Sequence, residues 1–381
     1  MLIGRKLKRT VALALLAGGL AVPQAHAQTQ IQTQTQTQSG DPVLDYAALN
    51  AALVDDYVLP RYAAFAEATA ALEASLTRAC ADGRADAAES GEAYNAAMDA
   101  WMGVQHLRFG PSELFLRTER IEFWPDKRGT VARHLAQMLS EADPHALETV
   151  VFANGSVAVQ GFPALERLLF DSDAATWTTP FACQLTVAIG GNLKTIAAGL
   201  LADWQGGDVA YADVIRGAAE GNERYFDAKE ASLEFAKALR GAILLVQDYK
   251  LGRPLGKEAG SARDTRAESW RSGRSLRNVL LNLKAAQALY EGGGNGISFS
   301  SMAREHPQGA ELDRVISAAL ERLIAAVEAQ PSSLVVALQA PDGWAKLDAI
   351  RVEARQLLEL MGGPLSEVLE LPMGFNSYDG D

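Results

Sequence analysis

Apolar residues recur three and four apart through nearly the whole of this chain, and that spacing admits little other than helix. Leu53, Tyr57, Leu72 and Leu76 mark it within Leu44 to Ala81, where Pro60 is expected to break or bend the helix in its first third. Alanine, leucine, glutamate and arginine, all good helix formers, dominate the composition, and β-branched alternation is scarce. A second helix is predicted from about Gly91 to Phe109, stopping at Gly110-Pro111. Residues 111–129 read as a loop rich in aromatics and charge, with Phe123-Trp124-Pro125-Asp126 inside it. Helices are then expected at Thr130–Glu141, Pro144–Phe152, Pro163–Phe170 and Pro180–Trp204, with a pair over Val209–Tyr249. The glycine-rich stretch Lys250–Arg263 punctuates the chain. Beyond it, helices are predicted near Arg266–Tyr290, Ala310–Ala329 and Gly343–Met361. That many helices on short connections predict an all-α protein of stacked helical bundles.

The first 27 residues have the three parts of a secretory signal. Arg5, Lys6, Lys8 and Arg9 form a basic start, Val11 to Val22 an apolar run, and Ala25-His26-Ala27 a small-x-small cleavage site. No cysteine follows the apolar run before Cys80, so a mature protein without a lipid anchor is expected in the periplasm. Residues 28–42 begin as a Gln-Thr repeat, which offers little to bury against its ordering entropy and reads as a disordered linker. The domain proper is expected over 43–381. No further run of about 18 apolar residues is present, so no transmembrane anchor is expected.

The formal charge is -12, and losing four cations with the signal makes the mature chain more acidic still. An acidic chain is a poor partner for nucleic acid, whose phosphates need a basic surface. Cys80 and Cys183 are the two cysteines. In an oxidising compartment such a pair is expected as a disulfide ahead of a metal site or a reactive thiol. A bridge would close a loop of roughly 100 residues and contribute about 4–5 kcal/mol in the chain-entropy model.

Motifs of catalysis are thin. The histidines left after the signal, His106, His134, His145 and His306, form no His-x-x-x-His or His-Glu-x-x-His pattern, and neither a nucleophile elbow nor a phosphate-binding loop is present. Three segments could still line a site. In 101–111, Trp101, Gln105 and Arg108 would share a helical face beside His106, or else form an ordinary amphipathic edge. In 160–167, Gln160 precedes a helix start at Pro163, and Glu166 lies close to the favourable end of the helix dipole; capping explains both residues equally well. In 268–277, Arg271 and Arg274 would share a face, either binding an anion or pairing with neighbouring carboxylates.

Taken in order, Trp101 to Pro111, Phe123-Trp124-Pro125-Asp126, Gln160 to Glu166, Pro180 to Cys183, Lys250 to Gly256, Trp270 to Arg277 and the closing Gly374-Phe-Asn-Ser resemble the imelysin-like family, over about Val43 to Asp381. The resemblance implies two helical bundles, here with a break near 206–264, a functional site between them, and a periplasmic role near iron or other metal acquisition. Some members are classed as metallopeptidases. The family hallmark Gly-x-His-x-x-Glu falls on Gly161 to Glu166, and Pro163 stands where the histidine is expected. Proline has no lone pair for a metal, so Glu166 alone survives as a candidate metal ligand.

The expectation is therefore a non-catalytic protein with no catalytic residue assigned. It would bind a metal such as iron or another divalent ion, a metal chelate, or a partner from the periplasmic uptake machinery. The cleft would draw on Gln105, His106, Arg108, Gln160, Glu166, Arg271 and Arg274, with arginines favouring an anionic complex over a bare cation. A metallopeptidase built on Glu166 and an unrecognised histidine, and a scaffold with a relic site, are the competing readings.

Overall fold

The computed structural model describes residues 44–81, 87–171, 179–207, 209–292 and 296–373. The expected signal, linker and closing Gly374-Phe-Asn-Ser motif lie outside the described residues. Those that are described are helical with short connections, contain no strand, and belong to one compact unit, Asp41–Asp381.

A continuous helical run enters at Tyr46, passes through a wider π segment at Leu53–Val58, and continues as α1 (Leu59–Ala81). The Leu59 N–H bonds to Val54 O, five residues back, so the turn widens just ahead of Pro60. Pro60 neither ends nor breaks the run. Its missing N–H falls where the ladder is already irregular. The same device recurs. The π segment Leu245–Gly252 continues helix Ala228–Leu244 and leads into Pro254, and a third, Met361–Leu365, contains Pro364.

α1 packs along α2 (Ala87–Met102) and, further on in the chain, α5 (Pro180–Gln205). α3 (Thr130–Glu141) and α4 (Phe162–Phe170) complete this first bundle. The second is built from α6 (Ala228–Leu244), α7 (Ser275–Glu291), α8 (Gly309–Glu328) and α9 (Gly343–Leu360), with α7 on α8 and α6 on both α7 and α9. The bundles meet where α2 crosses α7 and where helix Tyr46–Ala52 lies on α6. Aromatic rings weld that junction: Phe109 meets Trp204 of α5 and Phe235 of α6 edge-on, at centroid separations of 6.0 and 5.1 Å.

α5 is long and apolar enough to cross a membrane by length and composition, yet half of its most apolar window is buried. Its inward side packs on α1, which is the behaviour of a core helix. Gly190 permits this packing, because a Cβ there would stand 2.7 Å from the Leu76 side chain.

Several elements differ from expectation: residues 111–129, expected as a loop, carry the 3-10 turn Gly110–Leu116 and the helix Arg117–Ile121, and the helix expected over Pro144–Phe152 divides into Pro144–Leu147 and Thr149–Ala153. α2 ends at Met102, and residues 103–106 turn, so Trp101, Gln105 and Arg108 do not share a helical face. α7 begins only at Ser275; residues 269–273 are turns, and Arg271 and Arg274 therefore leave the backbone before the helix starts. Lys250–Arg263 also differs: the helix runs on to Leu255 and breaks at Gly256, whose φ of 66° suits glycine and whose Cβ would meet Ser261 Oγ at 2.4 Å.

Cys80 at the end of α1 and Cys183 in the first turn of α5 form a disulfide across 103 residues. Replacing both with serine is expected to lower unfolding stability by about 2–5 kcal/mol, read as a shift in the urea midpoint. An unchanged midpoint would mean that packing of α1 on α5 alone fixes the loop.

Candidate functional site

The ends of the first bundle and the 253–271 segment of the second enclose a cleft of about 330 Å³. Glu122 to Asp126, Phe162 to Arg167 and Thr265 to Arg271 contribute most of its wall, and Tyr94 closes one side.

Gly161 explains how the first wall is assembled. A Cβ at this position would lie 2.1 Å from Ile121 O, so only glycine lets the 120–122 backbone pass against the start of α4. That approach brings Glu122 and Glu166 to one cleft. Asp126 then accepts N–H bonds from Thr130 at 2.9 Å and Val131 at 2.8 Å, anchoring Phe123-Trp124-Pro125-Asp126 to the start of α3. Burial would raise its pKa, but these backbone donors prevail and hold it below the usual carboxylate range.

The floor is a buried polar network, and of its members Gln105 alone is among the sequence-based site candidates. Lys250 Nζ, on the second π segment, donates to Glu268 Oε2 at 2.5 Å, and both side chains are almost fully enclosed. Asn278 donates to the same oxygen at 2.7 Å. Glu122 lies beside Glu268; its Oε2 accepts from Trp101 Nε1 at 2.6 Å and from Gln105 Nε2 at 2.5 Å, and Gln105 also reaches Glu268 Oε1 at 3.1 Å. Burial and then the neighbouring Glu268 charge push Glu122 well above the ordinary glutamate range. Burial acts on Glu268 in the same direction, but Lys250 overrides it and holds that carboxyl below its usual value. The two shifts run in opposite directions, so Glu122 is the member of the pair that holds a proton more readily, and Glu268 the one that keeps its charge against Lys250.

Glu166 projects from the middle of α4 and does not cap its own helix. It accepts from Ser272 N at 2.9 Å and Ser272 Oγ at 2.7 Å, joining the first bundle to the turn before α7. Burial raises its pKa, and the Ser272 bonds and the Arg271 charge oppose that shift. Arg271 also lines the cleft; it lies over the Trp270 ring at 4.2 Å and donates to Asp171 at 2.7 Å. Arg167 shares that aspartate at 3.1 Å.

Of the expected site residues, Glu166 and Arg271 line the cleft, and Gln105 supports its floor from behind. The others have different work. Gln160 is a backbone clamp: its Nε2 donates to Phe152 O at 2.8 Å, and its Oε1 accepts from Arg120 at 2.7 Å. Arg108 pairs with Glu119 at 3.2 Å. Arg274, buried, reaches Asn95 at 3.0 Å and also pairs with Asp99. His106 is a core residue. Tyr57 Oη donates to Ala285 O at 2.9 Å, so the 2.8 Å contact to His106 Nε2 leaves the ring proton on that nitrogen. Burial, with Arg61 nearby, lowers the His106 pKa to about 3, and the imidazole stays neutral.

A metal is a poor fit to these donors. Pro163 offers no ligand atom, Glu166 is engaged by Ser272, and Glu268 by Lys250. Among the described residues no group of three or more His, Cys, Asp or Glu side chains is placed to hold an ion.

The upward shift at Glu122 has a measurable consequence. A carboxyl whose pKa rises on folding contributes stability below its unfolded pKa, and that contribution is lost as pH rises through the folded value. Glu122→Gln keeps the shape and the acceptor for Trp101 and Gln105 but does not titrate. Thermal melts from mildly acidic to mildly alkaline pH should show the wild type losing stability relative to this variant. A pH-independent difference would place the proton elsewhere.

The Peptidase M75 (Imelysin) family model matches residues 58–360. The fold is similar to the crystal structure of an imelysin-like protein from Psychrobacter arcticum 273-4, with a TM-score of 0.68 and 18% identity over 88% of this chain and 100% of that one. It is similar to the same degree, TM-score 0.68 and 18% identity, to an iron-regulated protein A precursor from Parabacteroides distasonis, over 85% of this chain and 96% of that one. At such identity these likenesses establish the fold. No curated protein matches the sequence significantly. With the family model spanning most of its length and both solved structures sharing its helical architecture, the chain belongs to the imelysin family.

Proposed function

We propose that this chain is a periplasmic, non-catalytic imelysin-family protein that serves metal acquisition by binding an anionic metal chelate in the cleft between its bundles. The observation that carries this reading is the charge of the cleft. Arg167, Arg253, Arg266 and Arg271 all line it, while Arg167 and Arg271 share the single carboxylate of Asp171. No carboxylate pairs with Arg253 or Arg266 among the described residues, and Arg253 Nε is buried without a hydrogen-bond partner. Guanidinium groups in this state favour carboxylates, whose paired oxygens match their donors. In the floor, Lys250 offsets the Glu268 charge and the upward shift at Glu122 favours its neutral form, which leaves Asp126 and Glu166 as the acidic side chains facing the four arginines.

A chelate whose own ligands present carboxylates fits both features, and it requires no protein atom to coordinate the metal. The iron-regulated name of one structural neighbour supports iron as the metal. The expected signal peptide supports the compartment.

Isothermal titration with ferric citrate, ferrous sulfate and citrate tests the reading. Ferric citrate is expected to bind, ferrous sulfate is not, and Arg253→Ala with Arg271→Ala should weaken the chelate about tenfold or more. Binding of the bare ion, indifferent to the arginines, would contradict it. Stoichiometric zinc together with proteolysis abolished by Glu166→Ala would favour the metallopeptidase reading instead.

A further inference from the structure

The arginine-lined cleft also carries tryptophan. Trp124 and Trp270 both line it and are half-buried, whereas Trp101 and Trp204 lie in the core. So large an apolar ring gains most by leaving water. Trp270 does so in part, since it packs on the core and the Arg271 guanidinium lies over its ring at 4.2 Å. Trp124 is different. Unlike its neighbour Phe123, it does not pack on the hydrophobic core formed by the described residues.

The chain on either side of Trp124 is nevertheless held. Its own backbone N–H donates to Glu122 O at 2.9 Å, and the strand of chain before it is pressed against Gly161. Two residues further on, Asp126 is tied to the start of α3. The indole therefore stands at the cleft on a fixed backbone, and a ring placed in advance loses little freedom when a ligand arrives.

Charge decides which ligand that is. An indole face attracts either a cation or a second planar ring. Arg167, Arg253, Arg266 and Arg271 line the same cleft and disfavour a cation. The acids of the wall do not reverse this. Asp126 accepts from two backbone N–H groups, Glu166 accepts from Ser272, Glu268 pairs with Lys250, and burial favours the neutral form of Glu122. Arg253 Nε, buried without a partner, and Arg271, braced between Trp270 and Asp171, are the donors left to meet an anion. Size narrows the choice further. At about 330 Å³ the cleft lies at the lower end of the roughly 300–1,000 Å³ of ligand pockets, which suits one ring and not a macrocycle.

We propose that the cleft binds a single-ring aromatic acid, with its carboxylate on Arg253 and Arg271 and its ring against Trp124. The proposal rests on the anionic ligand argued above and adds the ring to it. A hydroxyl beside the carboxylate lets such an acid chelate a metal by itself, so the protein need supply no coordinating atom.

Isothermal titration of the whole protein with salicylate, cyclohexanecarboxylate and ferric citrate tests this. Salicylate is expected to bind several-fold more tightly than cyclohexanecarboxylate, which has the same charge and a ring without a π face. Trp124→Ala should weaken salicylate about tenfold and leave ferric citrate, which has no ring, unchanged; Trp124→Phe should keep most of the salicylate affinity. Circular dichroism verifies that both variants fold. Salicylate binding no tighter than cyclohexanecarboxylate, or salicylate affinity untouched by Trp124→Ala, would overturn the proposal. Ferric citrate binding without salicylate binding would overturn the aromatic ligand and leave the chelate reading standing, whereas failure of both would overturn the two together.

Discussion

Lys250 and Glu268 form an ion pair enclosed almost completely by protein, and the cleft is organised around it. Taking two charges out of water costs several kcal/mol per ion, and the mutual attraction offsets that only where the remaining donors and acceptors are met. They largely are. Asn278 and Gln105 complete Glu268, and Lys250 also contacts Met102 Sδ at 3.1 Å. Burial and the Glu268 charge favour the neutral form of Glu122, which lessens the charge that the floor must hold. The network spans both bundles, since Trp101, Gln105 and Glu122 come from the first and Lys250, Glu268 and Asn278 from the second. Loss of any member would disturb the joint between them as well as the cleft.

The altered family motif makes sense against that joint. In the segment Gly161 to Glu166 the glycine and the glutamate both have structural duties here: Gly161 admits the Ile121 carbonyl, and Glu166 fastens Ser272 to α4. Each can persist without a metal. Proline at 163 suits the first turn of α4 because no N–H is needed there. Where the resemblance places an imidazole this chain has Pro163, and guanidinium groups line the cleft around it.

Much of the architecture was legible from periodicity and punctuation. Thr130–Glu141 forms a helix over its predicted span, and α5, α8 and α9 lie within a residue of theirs, because their apolar stripes are long and their ends are marked by proline, glycine or a change of pattern. The misplaced ends share a cause. Residues 103–109 and 266–274 keep a helix-compatible pattern, yet tertiary bonds from Gln105, Ser269 and Arg274 draw them into turns. Cys80 and Cys183 pair in a disulfide, as expected of these two cysteines. The floor of the cleft was much harder to see. Glu122, Lys250 and Glu268 are far apart in sequence and belong to residue types that are ordinarily exposed, so only their convergence distinguishes them. A faint signal existed: each lies in or beside a segment that carries the family resemblance.

The proposed function depends on Glu122 holding a proton at neutral pH, the direction in which burial and Glu268 shift it, so that Lys250 balances the remaining floor charge. Infrared difference spectroscopy across neutral pH tests this directly. It should reveal a protonated carboxyl band that disappears in Glu122→Gln and persists in Glu166→Gln. Observing every glutamate ionised at neutral pH, or a protonated band that survives Glu122→Gln, would contradict it.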